Sequence, residues 1–447
     1  MTKKLFGTDG IRGVANKYPI NSEVALKIGR ALGLLVKKNG FKSIVIGKDT
    51  RESGDMLETA LLSGIVSTGI NGKILGIIPT PGVAYLTKKQ EDTGAGIVIS
   101  ASHNPYQDNG IKVFNKNGEK LNETDQSFIE NFIHDKQEFV GEQDIGEIVI
   151  IKDSIELYAN FLKSTLDFNL IKKKIKIIID CSNGAAFKTA PMVFLYKNLE
   201  TKFIFNEPDG KNINKNCGSQ YTEQLAQKVI QENCDVGFGF DGDADRLIAV
   251  DEEGQEIKGD KILAIYANYL KEQGALSNNT VVSTIMSNVG FIKFLKDSQI
   301  NHIITDVGDA NVIREMNNNK AVLGGEDSGH LIFSKYHTTG DGILSALRLI
   351  EVMAAKQKSL SELAQIMKVY PQVLMNVEVD ASKPDFMKIK EVKDIVLRVE
   401  DELKSKGRVL IRYSGTQPLL RVMIEGPDHN AIENYCKDIC KAIKKNI

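Results

Sequence analysis

The sequence predicts an α/β protein: three similar domains with mixed or parallel sheets, followed by a smaller α+β domain. Two observations carry this reading. Short apolar runs alternate with amphipathic helical stretches along most of the chain, the pattern of strands joined by helices in α/β layers. The pattern then changes near Tyr370-Pro371, where apolar alternation, a charged helix and two further strands take over. At about 100–200 residues per domain, a chain of 447 residues accommodates three or four of them. Breaks are expected in the acidic, glycine-containing segment 141–146, after Val250 and near Tyr370. The expected domains are therefore 1–150, 151–250, 251–368 and 369–447. The first three share a plan without a repeat of residue identities.

Taken in order, Val24, Ile28, Ala31, Leu32 and Leu35 recur at helical spacing after a capping-type Ser22 and before Gly40. Ser43-Ile44-Val45-Ile46-Gly47 reads as a buried strand. So do Gly96-Ile97-Val98-Ile99, Ile175-Lys176-Ile177-Ile178-Ile179, Val236-Gly237-Phe238-Gly239-Phe240 and Val281-Val282-Ser283-Thr284-Ile285. In the last domain, 374–379 alternates, 388–404 is a charged helix, 409–413 and 420–425 are strands, and a helix closes the chain.

Composition narrows the function classes. With 42% hydrophobic and 26% charged residues, long disorder is not expected. A net charge of −1 gives no bulk attraction to a polyanion, so no nucleic-acid partner is expected. No run approaches the ~20 apolar residues of a membrane helix, and Gly7, Thr8 and Asp9 interrupt any leader peptide before it starts. Five cysteines lie without paired spacing, which fits free thiols in a reducing cytoplasm. Oligomeric state leaves no mark on the sequence.

Five constellations bear chemistry. Ser100-Ala101-Ser102-His103-Asn104-Pro105 ends an apolar strand, where a serine can face a ligand cleft. His103 and Asn104 supply donors beside it. The same residue types also make an ordinary polar turn. Ser102 is preferred to Ser100 as nucleophile because it lies deeper in the loop, next to the histidine. Asp241-Gly242-Asp243-Ala244-Asp245-Arg246 follows another apolar strand. Three carboxylates at alternate positions can converge on a hard cation such as Mg²⁺, with Arg246 holding a phosphate beside it. A calcium EF-hand would want glycine at Arg246 and a helix before the loop. An aspartyl-phosphate phosphohydrolase using Asp241 would leave the Ser102 loop unexplained. Gly324-Gly325-Glu326-Asp327-Ser328-Gly329-His330 combines acceptors and a histidine suited to sugar hydroxyls, and Thr338-Thr339-Gly340-Asp341-Gly342 can support it or cap the next helix. Arg412-Tyr413-Ser414-Gly415-Thr416, with Arg421 returning on the next strand, makes either a phosphate cradle or a plain hairpin. Gly7-Thr8-Asp9-Gly10-Ile11-Arg12-Gly13 lets backbone pass close to a ligand beside one arginine.

Together and in this order, the five motifs resemble those of the α-D-phosphohexomutase family over essentially the whole chain. The opening Phe6-Gly7-Thr8-Asp9-Gly10-Ile11-Arg12-Gly13 is most similar to the bacterial branch that acts on glucosamine phosphates. The resemblance implies four domains around a central cleft and a serine phosphorylated at Ser102. It implies that Asp241, Asp243 and Asp245, with the phosphoryl group of Ser102, bind one Mg²⁺. Glu326, Ser328 and His330 would face the sugar. Arg412, Ser414, Gly415, Thr416 and Arg421 would hold the phosphate that is not reacting. Arg12, Lys112 and Arg246 would lie near the reacting phosphoryl, with Lys112 or His330 as general base. The implied reaction interconverts glucosamine 6-phosphate and glucosamine 1-phosphate through a 1,6-bisphosphate, toward UDP-N-acetylglucosamine and cell-wall precursors. Action on mannose or glucose phosphates, phosphate hydrolysis, or sugar-phosphate binding without turnover are the alternatives. The chain departs from the family pattern at Gln417, where glutamate is usual, at Ala244, where glycine is usual, and at Asp327. With Glu326, Asp327 would either put two carboxylates in the sugar-facing loop, able to select an amino sugar, or point away from the sugar and cap a turn.

Overall fold

The computed structural model of the chain describes residues 4–135, 144–379, 384–413 and 419–446, and these contain four sheets. Three sheets lie in one unit, Met1–Met286 with Ile300–Ile366. The first has the spatial order Ile11–Val14, Asp108–Asn115, Thr93–Ile99, Ser43–Lys48, Asn71–Ile77, Ile148–Ile150. Its last four strands run parallel, and Asp108–Asn115 returns antiparallel beside Thr93–Ile99. In the second sheet Val236–Phe240, Ile175–Asp180 and Leu199–Ile204 are parallel, and Leu247–Asp251 returns antiparallel beside Val236–Phe240. In the third, Asn301–Thr305, Thr280–Thr284 and Leu323–Gly325 are parallel, and Leu331–Phe333 returns antiparallel beside Leu323–Gly325.

One plan thus occurs three times: a parallel strand ends, a short loop follows, and an antiparallel strand returns next to it. The three loops are 100–107, 241–246 and 326–330, which carry the serine, the aspartates and the glutamate–histidine motif. Ligand-facing loops belong at the carboxyl ends of parallel strands, because there the sheet stops and backbone groups are free to turn toward a ligand.

The strands form where the sequence is locally apolar. Val236–Phe240 is buried throughout, and helix Glu223–Gln231 covers it with Leu225 and Val229. Helix Ser22–Lys38 places Val24, Ala25, Ile28, Ala31 and Leu32 in the core of the first sheet. Its cap differs from the sequence expectation. Asn21, not Ser22, accepts the Val24 N–H (2.9 Å), because Asn21 has the extended backbone a capping residue needs and Ser22 is already helical.

The second unit comprises Ser287–Gln299 and Met367–Ile447. Its sheet is antiparallel, in the order Gln372–Glu378, Leu419–Glu425, Arg408–Tyr413, and it packs with helices Lys390–Leu403 and His429–Asn446. Helix Val289–Asp297 belongs to this unit, although in sequence it lies between two strands of the third sheet. Asn288 donates to the Tyr370 carbonyl (3.0 Å) and to Glu425 Oε1 (3.1 Å), and Lys293 donates to the Tyr370 hydroxyl (2.9 Å). All five cysteines are buried free thiols, and no helix among the described residues is long and apolar enough to cross a membrane.

Candidate active site

Ser102 sits just past strand Thr93–Ile99 with φ +54°, a left-handed backbone that costs a non-glycine residue energy and so requires outside support. The side chain is buried. Its hydroxyl donates to Asp241 Oδ2 at 2.6 Å, and His103 Nδ1 lies 3.3 Å from Ser102 Oγ. Burial, with Arg246 and Arg12 nearby, pushes His103 down to about 4, so the ring is neutral at pH 7. The rival serine has a different task. Ser100 donates to Asp49 Oδ2 (2.5 Å) and accepts the Ser102 N–H (2.9 Å), so its hydroxyl is spent on the backbone of the loop.

Asp241, Asp243 and Asp245 each offer an oxygen within 4.8 Å of the others, and all three are buried. The strand before them excludes an EF-hand. Gly242 passes over Ser102 so closely that a Cβ there would lie 2.6 Å from the Ser102 carbonyl oxygen. Ala244 adopts φ +55°, which explains why glycine suits that position. Thr80 donates to Asp243 Oδ2 (2.5 Å), and Arg246 N–H donates to Asp241 Oδ1 (3.1 Å). Among the described residues, Asp243 Oδ1 and Asp245 Oδ1 are buried without a hydrogen-bond partner. Buried carboxylate oxygens without partners are costly, and a hard divalent cation is the group that fits this donor set. Burial, then Asp245 and Asp243, raise Asp241 well above the carboxylate range, which shows how much negative charge the loop concentrates.

Cations surround the aspartates. Lys112 Nζ lies 2.8 Å from Asp243, 3.0 Å from Asp245 and 3.0 Å from Asp9. Burial opposes its charge, but these carboxylates raise it well above the usual lysine value. Arg12 pairs with Asp9, and Arg246 Nε lies 3.8 Å from Asp245. The Nε of each arginine is buried and, among the described residues, has no hydrogen-bond partner. Burial would raise Asp9, yet Lys112, Lys120 and Arg12 hold it far below the carboxylate range. Lys120 extends the network to Asp309 (2.5 Å). Thr80, Lys120 and Asp309 carried no separate signal in the sequence, because each is an isolated polar residue whose partners lie on distant segments; Asp9 lay within the Gly7–Gly13 motif but was given no role of its own.

His330 stands between Asp245 and Asp309, with ring nitrogens 3.6 Å from each, and so backs the aspartate loop. Burial opposes its protonation, but Asp245 and Asp309 push it up to about 9. The Gly340 N–H reaches Nε2 at 3.1 Å, a contact that suits the neutral ring with its proton on Nδ1 toward Asp245. Glu326 Oε1 accepts the Gly308 N–H (3.0 Å), and Ser328 Oγ is buried with no partner among the described residues. Asp327 turns away: its carboxylate accepts the Asp260 N–H (3.1 Å) and its carbonyl accepts the Gly259 N–H (3.0 Å), securing the start of helix Gly259–Glu272. Asp341 caps helix Gly342–Lys356 through the Leu344 N–H (2.9 Å), as the 338–342 motif suggested.

In the second unit Arg412 and Arg421 are direct cross-strand partners. Like charges at such positions repel, so the pair is poorly explained by stability alone. Arg421 Nε is buried and, among the described residues, has no hydrogen-bond partner. Ser414, Gly415 and Thr416 lie outside the described residues.

Comparison with known proteins adds the following. Segments 3–139, 156–254 and 258–370 match the alpha/beta/alpha domains I, II and III of phosphoglucomutase/phosphomannomutase, and 374–442 matches its C-terminal domain. A phosphoglucosamine mutase of Desulforapulum autotrophicum is 57% identical, covering 99% of both chains. One from Syntrophus aciditrophicus is 49% identical, again with 99% of both chains covered. Among solved structures, a phosphoglucomutase/phosphomannomutase family protein from Burkholderia thailandensis has a TM-score of 0.81 at 22% identity, over 98% of this chain and 97% of its own. An Aspergillus fumigatus N-acetylphosphoglucosamine mutase, in complex with GlcNAc-6P and magnesium, has a TM-score of 0.68 at 15% identity, over 99% and 95%. At these identities the two structures speak to the fold.

Proposed function

The chain belongs to the phosphoglucomutase/phosphomannomutase family, and from that premise we propose that it interconverts glucosamine 6-phosphate and glucosamine 1-phosphate through a phosphorylated Ser102. The observation that carries the reading is the 2.6 Å contact between the Ser102 hydroxyl and Asp241, inside a buried group of three carboxylates ringed by Lys112, Arg12 and Arg246. The substrate follows the curated relatives, which are phosphoglucosamine mutases along their whole length. The four sheets are taken as four domains in the order read from the sequence.

In this reading phosphoserine 102 passes its phosphoryl group to the free sugar hydroxyl, forming a 1,6-bisphosphate. That intermediate reorients, and its other phosphate returns to Ser102. Asp241, Asp243 and Asp245, with the phosphoryl oxygen of Ser102, are the residues that would hold one Mg²⁺. When bound, such an ion neutralises charge on the transferring phosphoryl. Arg12 and Arg246 supply fixed positive charge beside it, and Lys112 or His330 exchanges the proton of the sugar hydroxyl. Glu326 and Ser328 bind sugar hydroxyls. Arg412, Ser414, Gly415, Thr416 and Arg421 grip the second phosphate. Phosphate hydrolysis by Asp241 is disfavoured because both of its oxygens already accept hydrogen bonds, from Ser102 and Arg246.

The test combines a coupled assay on glucosamine, glucose and mannose phosphates with intact-mass analysis. Glucosamine phosphate turnover, a phosphate mapped to Ser102, and loss of activity in a folded Ser102→Ala are expected. Phosphate only on Ser100, with an active Ser102→Ala, would sink the assignment.

A further inference from the structure

Outside all five motifs, Arg51 is wholly devoted to the serine loop, and we propose that it is a positioning residue presenting the Ser102 hydroxyl to the aspartates. The inference deepens the phosphoserine reading and rests on it. Arg51 follows strand Ser43–Lys48, and its side chain is fully buried. A guanidinium has five N–H donors in a rigid fork. Here one donates to Asp49 Oδ2 (2.9 Å), and the other four go to backbone carbonyls of a single segment: Ser102 (3.0 Å), Asn104 (2.8 Å), Pro105 (2.5 Å) and Asp108 (2.9 Å). A merely space-filling arginine has no reason to spend four of its five donors on one segment.

The loop needs such a hold. Ser102 has the left-handed φ of +54°, and its hydroxyl must stay within reach of Asp241. The same Asp49 that pairs with Arg51 accepts the Ser100 hydroxyl, and Ser100 in turn accepts the Ser102 N–H. Arg51 therefore grips the Ser102 peptide from its carbonyl side directly and from its N–H side through Asp49 and Ser100. Asn214 adds a second donor to the carbonyls of Ser102 (2.9 Å) and Asn104 (3.0 Å). A nucleophile displaced by about 1 Å can lose about a hundredfold in rate. Lysine at position 51 would keep the charge beside Asp49 but cannot span four carbonyls.

The experiment measures kcat, KM, thermal melting and phosphate on Ser102 for wild type and Arg51→Lys. The expected result is a folded variant with kcat about a hundredfold lower and KM for the sugar phosphate within about twofold, the signature of a lost transition-state geometry. A kcat within about threefold of wild type overturns the proposal. So does a loss confined to temperatures near melting, which a purely structural role would produce. If Arg51→Lys does not fold, Ser100→Ala decides: a lower kcat at unchanged KM and melting temperature supports the clamp, and unchanged kinetics overturns it. A wild-type protein that turns over without phosphate on Ser102 would overturn the phosphoserine reading, and this inference with it. A phosphorylated wild type beside a fully active Arg51→Lys overturns the inference alone.

Discussion

Asp327 illustrates how a single residue changes meaning once its neighbours are known. Beside Glu326, its carboxylate looks like a selector for the amine of an amino sugar. In the fold it accepts the Asp260 N–H, and burial raises its pKa, so it serves a helix start instead. Asp327→Asn keeps a carbonyl oxygen for that N–H. The ratio of kcat/KM for glucosamine 6-phosphate over glucose 6-phosphate should therefore stay within about twofold of wild type. A tenfold fall, worth about 1.4 kcal/mol, would return Asp327 to the sugar. Selection of the amine would then fall to Glu326, one of whose oxygens accepts the Gly308 N–H, or to a group outside this loop.

At the scale of elements, the repeated strand–loop–antiparallel return sets where the chemistry sits. The third loop depends on a tight return in which the Glu326 N–H donates to the His330 carbonyl (3.0 Å) and the Gly329 N–H to the Glu326 carbonyl (3.0 Å). Gly329 has φ +90°, and a Cβ there would lie 2.2 Å from the Leu247 carbonyl oxygen on the strand that follows the aspartates. Gly329→Ala would thus have to break the docking of the 326–330 loop onto the strand that follows the aspartates. A loss of about 2–4 kcal/mol in stability, together with a raised KM, is expected from strain of this kind. Denaturant unfolding checks it, and an unchanged midpoint would show that the two loops are not packed this way.

Two properties belong to the molecule as a whole. Metal binding to the native aspartates should raise its stability by about 2–3 kcal/mol at a hundred times the dissociation constant. Melting temperature should therefore climb with Mg²⁺ in the wild type and not in Asp243→Asn, which should also lose activity. A full Mg²⁺ response in that variant would place the ion elsewhere. The second property is acid sensitivity from His337, which is buried, donates from Nε2 to the Pro81 carbonyl (2.8 Å) and accepts the Thr338 N–H at Nδ1 (2.9 Å). Acceptance at Nδ1 requires the neutral ring, and burial pushes its pKa down to about 4. The unfolded chain, with histidine near 6.5, then binds more protons between pH 6.5 and 4, so stability falls as pH drops through that window. The contribution is roughly 3 kcal/mol over the full window, since one pKa unit corresponds to about 1.4 kcal/mol. Melting curves of wild type and His337→Gln should diverge above pH 6 and converge toward pH 4. Parallel curves would assign the acid loss to other groups.

The sequence by itself determined the α/β class, the strands that end at the serine and aspartate loops, and the order of the motifs. These are legible because they are local: Val236–Phe240 is an unbroken apolar run, and three aspartates at alternate positions need no partner to be noticed. The sequence preferred Ser102 to Ser100 from its place in the loop, and the tertiary structure added that the Ser100 hydroxyl is engaged by Asp49, about fifty positions earlier. The tertiary structure likewise turned Asp327 toward a helix, put Val289–Asp297 with the C-terminal unit, and brought Arg51, Thr80, Lys120 and Asp309 into use. An isolated buried charge has no periodicity and no spacing to read. Its role is set by which distant carbonyl or carboxylate the fold brings within hydrogen-bond reach, and that is a property of packing.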